Sequence, residues 1–143
     1  MECIVKTFDQ LTPREVYEIL QVRTAVFVVE QTCPYQEVDG VDYDALHVCL
    51  RDDRGIRAYL RAFSRNETTA QIGRVLTMDR GQGLGMDVLK AGIQTVRERM
   101  KVEKIFIEAQ TYTIDFYSRV GFRVTGEEFL EDGIPHVPME LAL

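Results

Sequence analysis

The first long apolar pattern in the chain is that of an amphipathic helix. Apolar residues recur at helical spacing as far as Phe27, so one face of the helix would be apolar. Thr12 is suited to cap this helix, Pro13 fits its first turn, and Glu15 completes a capping box. The pattern predicts a helix that begins at Pro13 and fades near Gln31.

Several shorter apolar runs have the length and composition of strands. They lie at Cys3–Phe8, Leu46–Leu50, Ile56–Phe63, Ala70–Met78, Lys104–Ala109, Phe122–Thr125 and Val137–Leu141. Two more helical patterns occur at Leu84–Met100 and Asp115–Val120, and residues 131–135 are expected to connect the last two strands. The order β-α-β-β-β-α-β-α-β-β predicts a mixed α/β fold with a largely antiparallel first half and helical crossovers in the second half.

Composition and charge exclude several classes of function. The 143 residues are 45% hydrophobic and 28% charged, which is typical of a globular domain, and we expect residues 1–143 to form a single domain. The formal net charge of -6 disfavours nucleic acid as a partner, because binding it requires clustered Lys and Arg. The same charge mildly favours a cationic partner such as an amine.

Membrane, disulfide and metal classes are also disfavoured. No apolar run approaches the roughly 20 residues that span a bilayer, and the first residues lack the apolar core of a signal peptide. Cys3, Cys33 and Cys49 show no CxxC spacing, so neither a disulfide scaffold nor a zinc knuckle is predicted. The histidines and carboxylates show no recognisable metal-ligand spacing. We therefore expect a cytoplasmic protein without a membrane partner or a metal.

The most informative segment is a glycine-rich turn between a predicted strand and a predicted helix. Glycines at alternate positions leave backbone N–H groups unshielded, and the helix N-terminus adds a partial positive charge, so the turn can hold phosphates. A Walker loop is excluded because no lysine follows the glycines, and Met86 stands where the dinucleotide motif needs its third glycine. The pattern that remains is Arg-x-x-Gly-x-Gly, formed by Arg80, Gly83 and Gly85.

This pattern resembles the coenzyme A pyrophosphate loop of the GCN5-related N-acetyltransferase (GNAT) superfamily. The resemblance implies that acetyl-coenzyme A (acetyl-CoA) is the cosubstrate. It also implies a cofactor-binding set made of the strand end and the turn, namely Leu76, Met78, Arg80, Gly81, Gln82, Gly83, Leu84 and Gly85.

A second block supports the same family. The chain reads Phe106-Ile107-Glu108-Ala109-Gln110 and then Phe116-Tyr117-Ser118-Arg119-Val120-Gly121-Phe122. GNAT members carry a similar strand with an amide side chain at its end, followed by a helix ending in Tyr-x-x-x-Gly-Phe. In the family the amide binds the pantetheine arm, and the tyrosine is proposed to protonate the leaving thiolate. The resemblance thus assigns Gln110 to cofactor binding and Tyr117 to both cofactor binding and general acid catalysis.

Other segments narrow the resemblance to the ElaA-like branch, over nearly the whole chain. They are residues 17–23, 26–31, 33–37, 39–42 and 131–136, together with His47. The resemblance implies a mixed central sheet flanked by helices, with an antiparallel N-terminal half and a splayed parallel pair of strands in the C-terminal half. One departure is a slightly shortened stretch before Arg80, which puts the oxyanion donors in question more than the fold.

Acetyl transfer to an amine needs an oxyanion donor, a proton donor and a way to obtain a neutral amine. A backbone N–H near the end of the strand, at Leu76 or Met78, is a candidate oxyanion donor. Glu108 is a candidate base, although alternation places it on the same sheet face as Gln110 without saying which face that is. His136 is the other candidate base, and its alternative role is a hydrogen-bonded anchor for its loop.

An acidic loop is the candidate for recognising a cationic substrate. Glu37 and Asp39 lie in it together with Asp42 and Asp44, and Glu30 precedes it. We assign substrate binding to Glu30, Glu37 and Asp39. The alternative interpretation is a solvated loop, which is the usual fate of a carboxylate cluster.

These observations predict an N-acetyltransferase that transfers acetyl from acetyl-CoA to an unidentified primary amine by direct attack. The acceptor is a small-molecule amine or a protein amine. The alternative is a non-catalytic module that binds or senses acetyl-CoA. Homodimers are common, so pairing through the closing strands or the helix after the glycine turn is left open.

Overall fold

A single mixed sheet organises the computed structural model, which describes residues 1–143. Its strands are β1 (Glu2–Thr7), β2 (Leu46–Asp52), β3 (Gly55–Ser64), β4 (Thr69–Thr77), β5 (Lys104–Gln110), β6 (Arg123–Val124), β7 (Phe129–Glu131) and β8 (Ile134–Ala142). They lie in the order β1-β2-β3-β4-β5-β8-β6, and β7 pairs with the beginning of β8. All neighbouring strands are antiparallel except β4 and β5.

Helices cover both faces of this sheet. They are α1 (Pro13–Arg23), α2 (Leu84–Arg99) and α3 (Ile114–Ser118), with short 3-10 turns at Phe8–Gln10, Val41–Asp44 and Thr111–Thr113. The capping box predicted for α1 is present, since the Thr12 side chain accepts from Glu15 N–H and Glu15 accepts from Thr12 N–H. A π-helical segment, Thr24–Glu30, continues α1 to the predicted end. None of the helices combines the length and hydrophobicity needed to cross a bilayer.

The parallel pair is splayed, as the sequence predicts. β4 and β5 are paired only where Thr69–Gln71 faces Lys104–Phe106, and beyond this point the strands separate. Because β8 pairs with the whole of β5 on its other side, β5 stays in the sheet while its β4 edge opens. The mixed α/β fold is therefore confirmed, and the splay produces a cleft on the open side of the pair.

The two faces of the sheet bury separate cores. Residues of α2 such as Val88 and Leu89 pack against the larger core, together with Leu60 and Ile105. A smaller core lies under α1. Along β5, buried and partly exposed residues alternate, so Glu108 and Gln110 lie on the face opposite α2. This alternation decides the sheet face that the sequence left open.

The segment before the last strand differs from the prediction. Residues 131–135 are not a simple connection, because β7 ends at Glu131 and β8 already begins at Ile134. Asp132 and Gly133 form the turn between them, and both have positive φ, 51° and 77°. Positive φ at both central residues is characteristic of the tight hairpin turn that Asp-Gly favours. The hairpin carries Glu131 and His136 on adjacent strands.

A bulge interrupts the pairing of β3 and β4. Tyr59 pairs with Leu76 while Arg61 pairs with Gly73, so Arg74 and Val75 together face one residue of β3. Arg74 has a φ of 55°, which is the left-handed region that a long side chain rarely adopts. The cost of this conformation must be offset by what the Arg74 side chain contacts.

A ring of alternating charges lies on the α1 face and links α1, the segment before β2, β3 and the bulge in β4. Its members, in order around the ring, are Arg23, Glu37, Arg74, Asp39, Arg61 and Asp42. We call these six residues the charge ring. Three arginines balance three carboxylates, so the charge ring carries no net formal charge.

The most buried member of the charge ring is Arg23, which has no solvent exposure. Its Nε donates to Glu37 Oε2 at 2.7 Å, and its Nη1 donates to Asp42 Oδ1 at 2.5 Å. Its Nη2 also donates to the Glu37 backbone carbonyl at 3.1 Å. Each terminal group of the guanidinium is therefore satisfied, as a buried charge requires.

The remaining contacts close the ring around Asp39. Arg61 donates to both Asp39 oxygens, at 2.9 and 2.7 Å, and to Asp42 Oδ1 at 2.9 Å. Arg74 donates from Nε to Glu37 Oε2 at 2.8 Å and from Nη2 to Asp39 Oδ2 at 3.4 Å. These bonds explain the conformation of the bulge, because it points the Arg74 guanidinium at two carboxylates.

Removing Arg23 should be costly to stability. Arg23→Ala leaves Glu37 and Asp42 buried with one arginine fewer, and breaking a buried ion pair in this way costs about 3–5 kcal/mol. Urea denaturation should show this loss in the free energy of unfolding. Arg97→Ala, at an exposed position of α2, is the matched control and should change stability by less than about 0.5 kcal/mol. Equal losses in the two variants would contradict the role of the charge ring.

The charge ring should also make the fold sensitive to acid. Burial raises the pKa of Asp39, but hydrogen bonds and charge from Arg61 outweigh burial and lower it from 3.8 to about 2. A depressed carboxyl pKa contributes stability that is complete well above pH 4 and is lost as the pH falls towards 2. The melting temperatures of wild type and Asp39→Asn should therefore differ at pH 6 and converge near pH 2.

The exposed Asp53 gives the comparison for this acid test. Asp53→Asn should track the wild type across the whole range, because Asp53 forms no ion pair. A constant difference between wild type and Asp39→Asn at every pH would contradict the assignment.

Candidate active site

The splay between β4 and β5 opens into a cavity of about 600 Å³. β4 supplies one wall from Gln71 to Thr77, and β5 supplies the other with Glu108 and Gln110. The helical segment after α1, the segment before β2, β3, the α3 region and the β7–β8 turn also contribute to the lining. A cavity of this size is within the usual range for small-molecule and cofactor sites.

Tyr117, the candidate general acid, is one of the residues that line this cavity. α3 and Gly121 place its ring against Phe116 and Phe122, with edge-to-face contacts at centroid distances of 5.1 and 5.8 Å. Its hydroxyl has no hydrogen-bond partner in the protein, and burial raises the pKa of Tyr117 above its ordinary value. Near neutral pH the phenol is therefore protonated and free to donate.

Gln110 is the last residue of β5 and also lines the cavity. Its Nε2 donates to Gln31 Oε1 at 3.3 Å, across the mouth between β5 and the end of the α1 extension. The Gln110 side chain thus presents amide groups to anything that occupies the splay. This geometry suits the predicted role in binding a pantetheine arm, which is rich in amides.

The glycine turn ends where α2 begins, at the surface beside the cavity. Gly81 and Gly83 have positive φ, 78° and 73°, and a Cβ added at either would meet no atom within 4 Å. Gly83 caps α2 without a side chain, so the first N–H groups of the helix are left for an external acceptor. The Leu84 side chain is buried in the larger core, which leaves only its backbone for a ligand.

Arg80 is the part of the turn that reaches the cavity. Its guanidinium is paired with Glu30, and most of its side chain is exposed. Glycine 85 instead packs on the core side, where its Cβ position is 3.4 Å from the Phe116 ring. The predicted phosphate site therefore consists of the exposed turn and the α2 N-terminus, with Arg80 between that site and the cavity.

The structure changes the prediction for the oxyanion donor. Met78 N–H donates to the Arg57 carbonyl at 2.8 Å, so this group is used in the sheet and cannot polarise a thioester. Leu76 does line the cavity, just after the bulge. Leu76 is itself paired with Tyr59 of β3, two residues from the Met78–Arg57 bond and in the same register, so its N–H also faces β3. The same argument therefore applies to both backbone donors considered from the sequence.

Glu108 and His136 converge at the hairpin end of the cavity. β5 and β8 bring them there, since Gln110 pairs with His136 in the sheet. Between them lies Glu131, whose Oε2 is 3.5 Å from His136 Nε2. The sequence identified Glu131 only as part of the family-like segment and assigned it no role.

The acidic loop has a structural use that the sequence did not predict. Glu37 is buried, and it and Asp39 are held by arginines of the charge ring. Glu30 is paired with Arg80. Glu37 and Asp39 are thus not free carboxylates, and this arrangement does not support Glu30, Glu37 or Asp39 as the main ligands of a cationic substrate.

Several cavity residues were missed by sequence reasoning. They are chiefly polar side chains to which the sequence analysis assigned no role, namely Gln31, Tyr35, Arg61, Gln71, Arg74 and Glu131. Period-two alternation along β3 places Arg61 on the same face as Tyr59, which was the signal available for it. Arg74 gave no signal, because the bulge that directs it is not visible in the pattern.

Comparison with known proteins identifies the family. A family model described as an acetyltransferase (GNAT) domain matches residues 10–143. The chain belongs to the GNAT acetyltransferase family. It is 38% identical to the UPF0039 protein C11D3.02c of Schizosaccharomyces pombe, with 100% of this chain and 98% of that protein covered.

Solved structures agree with this assignment. An acyl-CoA N-acyltransferase from Pseudomonas aeruginosa superposes with a TM-score of 0.92 at 38% identity, covering 98% of this chain and 99% of that one. ElaA from Escherichia coli superposes with a TM-score of 0.91 at 32% identity, covering 97% of each chain. The GNAT fold, its ElaA-like character and its acyltransferase class are thereby confirmed.

The cosubstrate follows from the family and fits the site. A GNAT family acetyltransferase from Elizabethkingia anophelis, which shares the fold at a TM-score of 0.68 and 16% identity, was solved with acetyl-CoA bound. In the present protein the open glycine turn, the uncapped α2 N-terminus and the cavity beyond Arg80 offer anion and amide sites in succession. Acetyl-CoA is the cosubstrate that these features fit.

The substitution Gly83→Ala tests whether the glycine turn binds the pyrophosphate of acetyl-CoA. Gly83→Ala would place a Cβ in the open space beside the α2 N-terminus, shielding an N–H from the pyrophosphate. Loss of one hydrogen bond to a charged group, about 1.5 kcal/mol, should weaken acetyl-CoA binding about tenfold in a calorimetric titration.

Gly40→Ala is the matched control, because Gly40 also has positive φ and open space at its Cβ but lies far from the turn in sequence. Gly40→Ala should lower stability by a similar amount, because a Cβ is introduced at a positive φ in both variants. The affinity for acetyl-CoA should be unchanged. Equal affinities in the two variants would show that the turn does not bind the pyrophosphate.

Proposed function

We propose that the protein is an N-acetyltransferase that moves the acetyl group of acetyl-CoA to a primary amine by direct attack. The observation that carries the proposal is the Tyr117 hydroxyl, which is protonated, has no protein partner and lies in the cavity behind the glycine turn. Family membership supports acyl transfer, and the site supports the finer statements about mechanism.

In this proposal the coenzyme occupies the splay from end to end. Its pyrophosphate lies on the glycine turn and the α2 N-terminus, and its pantetheine arm follows β4 and meets Gln110. The thioester then lies beside Tyr117, where a backbone N–H of the splayed part of β4 stabilises the developing oxyanion. The β4 residues that separate from β5 leave backbone groups of this strand free for the arm.

The chemical step is a direct aminolysis. The neutral amine nitrogen attacks the thioester carbon, a tetrahedral intermediate forms, and its collapse breaks the C–S bond. Tyr117 donates its proton to the departing sulfur and regains one from the amine nitrogen, which loses it on becoming an amide. Glu108 and His136 are the groups near the acceptor end that were predicted to take the first proton from the amine.

The second candidate is a module that binds acetyl-CoA without turnover. It would use the same turn and the same splay but would not need the Tyr117 hydroxyl. The Tyr117 hydroxyl favours the enzyme, because it has no protein partner and belongs to a side chain that lines the cavity, where it can reach a ligand.

Removing the hydroxyl oxygen of Tyr117 distinguishes the enzyme from the non-catalytic binding module. Tyr117→Phe should lower acetylation of a polyamine and peptide-amine panel by at least about 100-fold, the loss expected for a general acid. The stabilisation by acetyl-CoA should persist, about 2.7 kcal/mol at a hundred times its Kd. Thiol release and thermal denaturation report the two quantities.

Tyr17→Phe is the matched control, because Tyr17 is exposed on α1 and far from the cavity. It should leave both quantities unchanged. Stabilisation by acetyl-CoA without thiol release from any amine in the wild type would instead establish the binding module.

We further propose that residues 1–143 act as a single acyltransferase domain, of which the family model covers residues 10–143. We retain as predictions that the acceptor is a small-molecule or protein amine, that the protein is cytoplasmic and that it can form a homodimer.

A further inference from the structure

Two acidic side chains of the cavity lie outside the charge ring. Glu108 from β5 and Glu131 from the end of β7 line the same end of the cavity, close enough for their carboxyl groups to interact. Neither forms an ion pair with a lysine or an arginine. Two carboxyl groups in contact cannot both be ionised at little cost, so this pair has a built-in tendency to hold one proton.

The surroundings strengthen this tendency. Partial burial, followed by the interaction with Glu108, raises the pKa of Glu131 from 4.5 to about 7. The charge of Asp132 in the adjoining turn acts in the same direction, while Arg74 of the charge ring opposes it. The charged and titratable groups that act on Glu131 therefore come from β5, the β7–β8 turn, the β4 bulge and β8.

His136 of β8 fixes the geometry of the pair. Its Nδ1 donates to the Ile134 carbonyl at 2.7 Å, which leaves Nε2 facing Glu131 Oε2 at 3.5 Å. The ring also stacks on Phe129 at a centroid distance of 5.9 Å. His136 is thus anchored by its own loop, as one of the two interpretations made from the sequence expects, and it positions the Glu131 carboxyl group.

From this arrangement we infer that Glu108 and Glu131 together accept the proton of the attacking amine, so the acceptor enters the cavity as an alkylammonium ion. The inference rests on the proposed function and deepens it. The ionised pair binds R–NH₃⁺ and takes one proton, which the two carboxyl groups then share. The amine is left neutral for attack, and the shared proton returns to solvent after the amide and free coenzyme A have formed.

The same charge distribution limits the class of acceptor. The carboxylates of the charge ring are already neutralised by arginines, so the uncompensated charge at the hairpin end comes from Glu108, Glu131 and Asp132. This charge attracts a cation and repels an anion. Amines without a neighbouring carboxylate or phosphate, such as polyamines and lysine side chains, are the acceptor class that fits.

Three variants test this inference. Glu131→Gln should lower the acetylation rate of alkylamines about 100-fold and abolish the rise in rate with pH near 7. Glu108→Gln removes the neighbouring charge, so the pKa of Glu131 should fall and the rise in rate should move to lower pH. Glu127→Gln, at an exposed position with no hydrogen bond, is the control and should retain both the rate and the pH profile of the wild type.

A titration of ¹³C-labelled glutamate carboxyl groups by NMR gives a second measurement that needs no acceptor. One carboxyl group should titrate near pH 7 in the wild type, disappear in Glu131→Gln and shift downward in Glu108→Gln. Ordinary titration of all glutamates, or a pH profile unchanged in Glu131→Gln, would overturn the inference while leaving acetyl transfer intact. Failure of the wild type to acetylate any amine would overturn the proposed function as well.

Discussion

Arg23 carries a positive charge at a position without solvent exposure, and this charge has to be balanced where it lies. Balancing it requires Glu37 and Asp42, and these come from a segment with little regular structure between the α1 extension and β2. The rest of the charge ring then ties this segment to Arg61 of β3 and Arg74 of the β4 bulge. The interaction thus holds together four parts of the chain that hydrophobic packing alone would leave independent.

The bulge connects this electrostatic constraint to the cavity. A regular β4 would alternate without interruption and would lie along β3 in a single register. The extra residue at Arg74 turns the following strand, and β4 has by then already separated from β5. The charge ring therefore stabilises the strained residue Arg74 at the wall of the cavity. Backbone strain of this kind is concentrated at functional sites. The bulge thus places the charge ring at the wall of the cavity that the splay opens.

Much of the fold could be predicted because its determinants are local. The capping residues of α1, the period-two strands and the glycine turn before α2 all lie close to the elements they define. Tyr117 and Gln110 were found for a different reason, since they stand in a segment similar to a known family. β7 was missed because three residues are too few to show a period, although Asp132-Gly133 is a recognisable hairpin signal. The charge ring was missed because its members are distant in sequence and because a polar residue on an apolar helix face looks like solvent exposure rather than burial.

The division of the acidic residues into paired and unpaired groups is what connects the fold to the chemistry. The sequence shows a conspicuous acidic loop and a single glutamate on β5, and the loop is the natural candidate for binding a cation. The structure reverses this order, because Glu37, Asp39 and Asp42 of the loop are neutralised by three arginines. Glu108 is instead joined by Glu131. A charge that stabilises the fold is not available to a ligand, since its field is already cancelled at short range. The charge that remains uncompensated lies at the hairpin end of the cavity, in the same cleft as the protonated hydroxyl of Tyr117. One cavity therefore holds both a group able to take a proton and a group able to give one, which is the combination that transfer to an ammonium substrate requires.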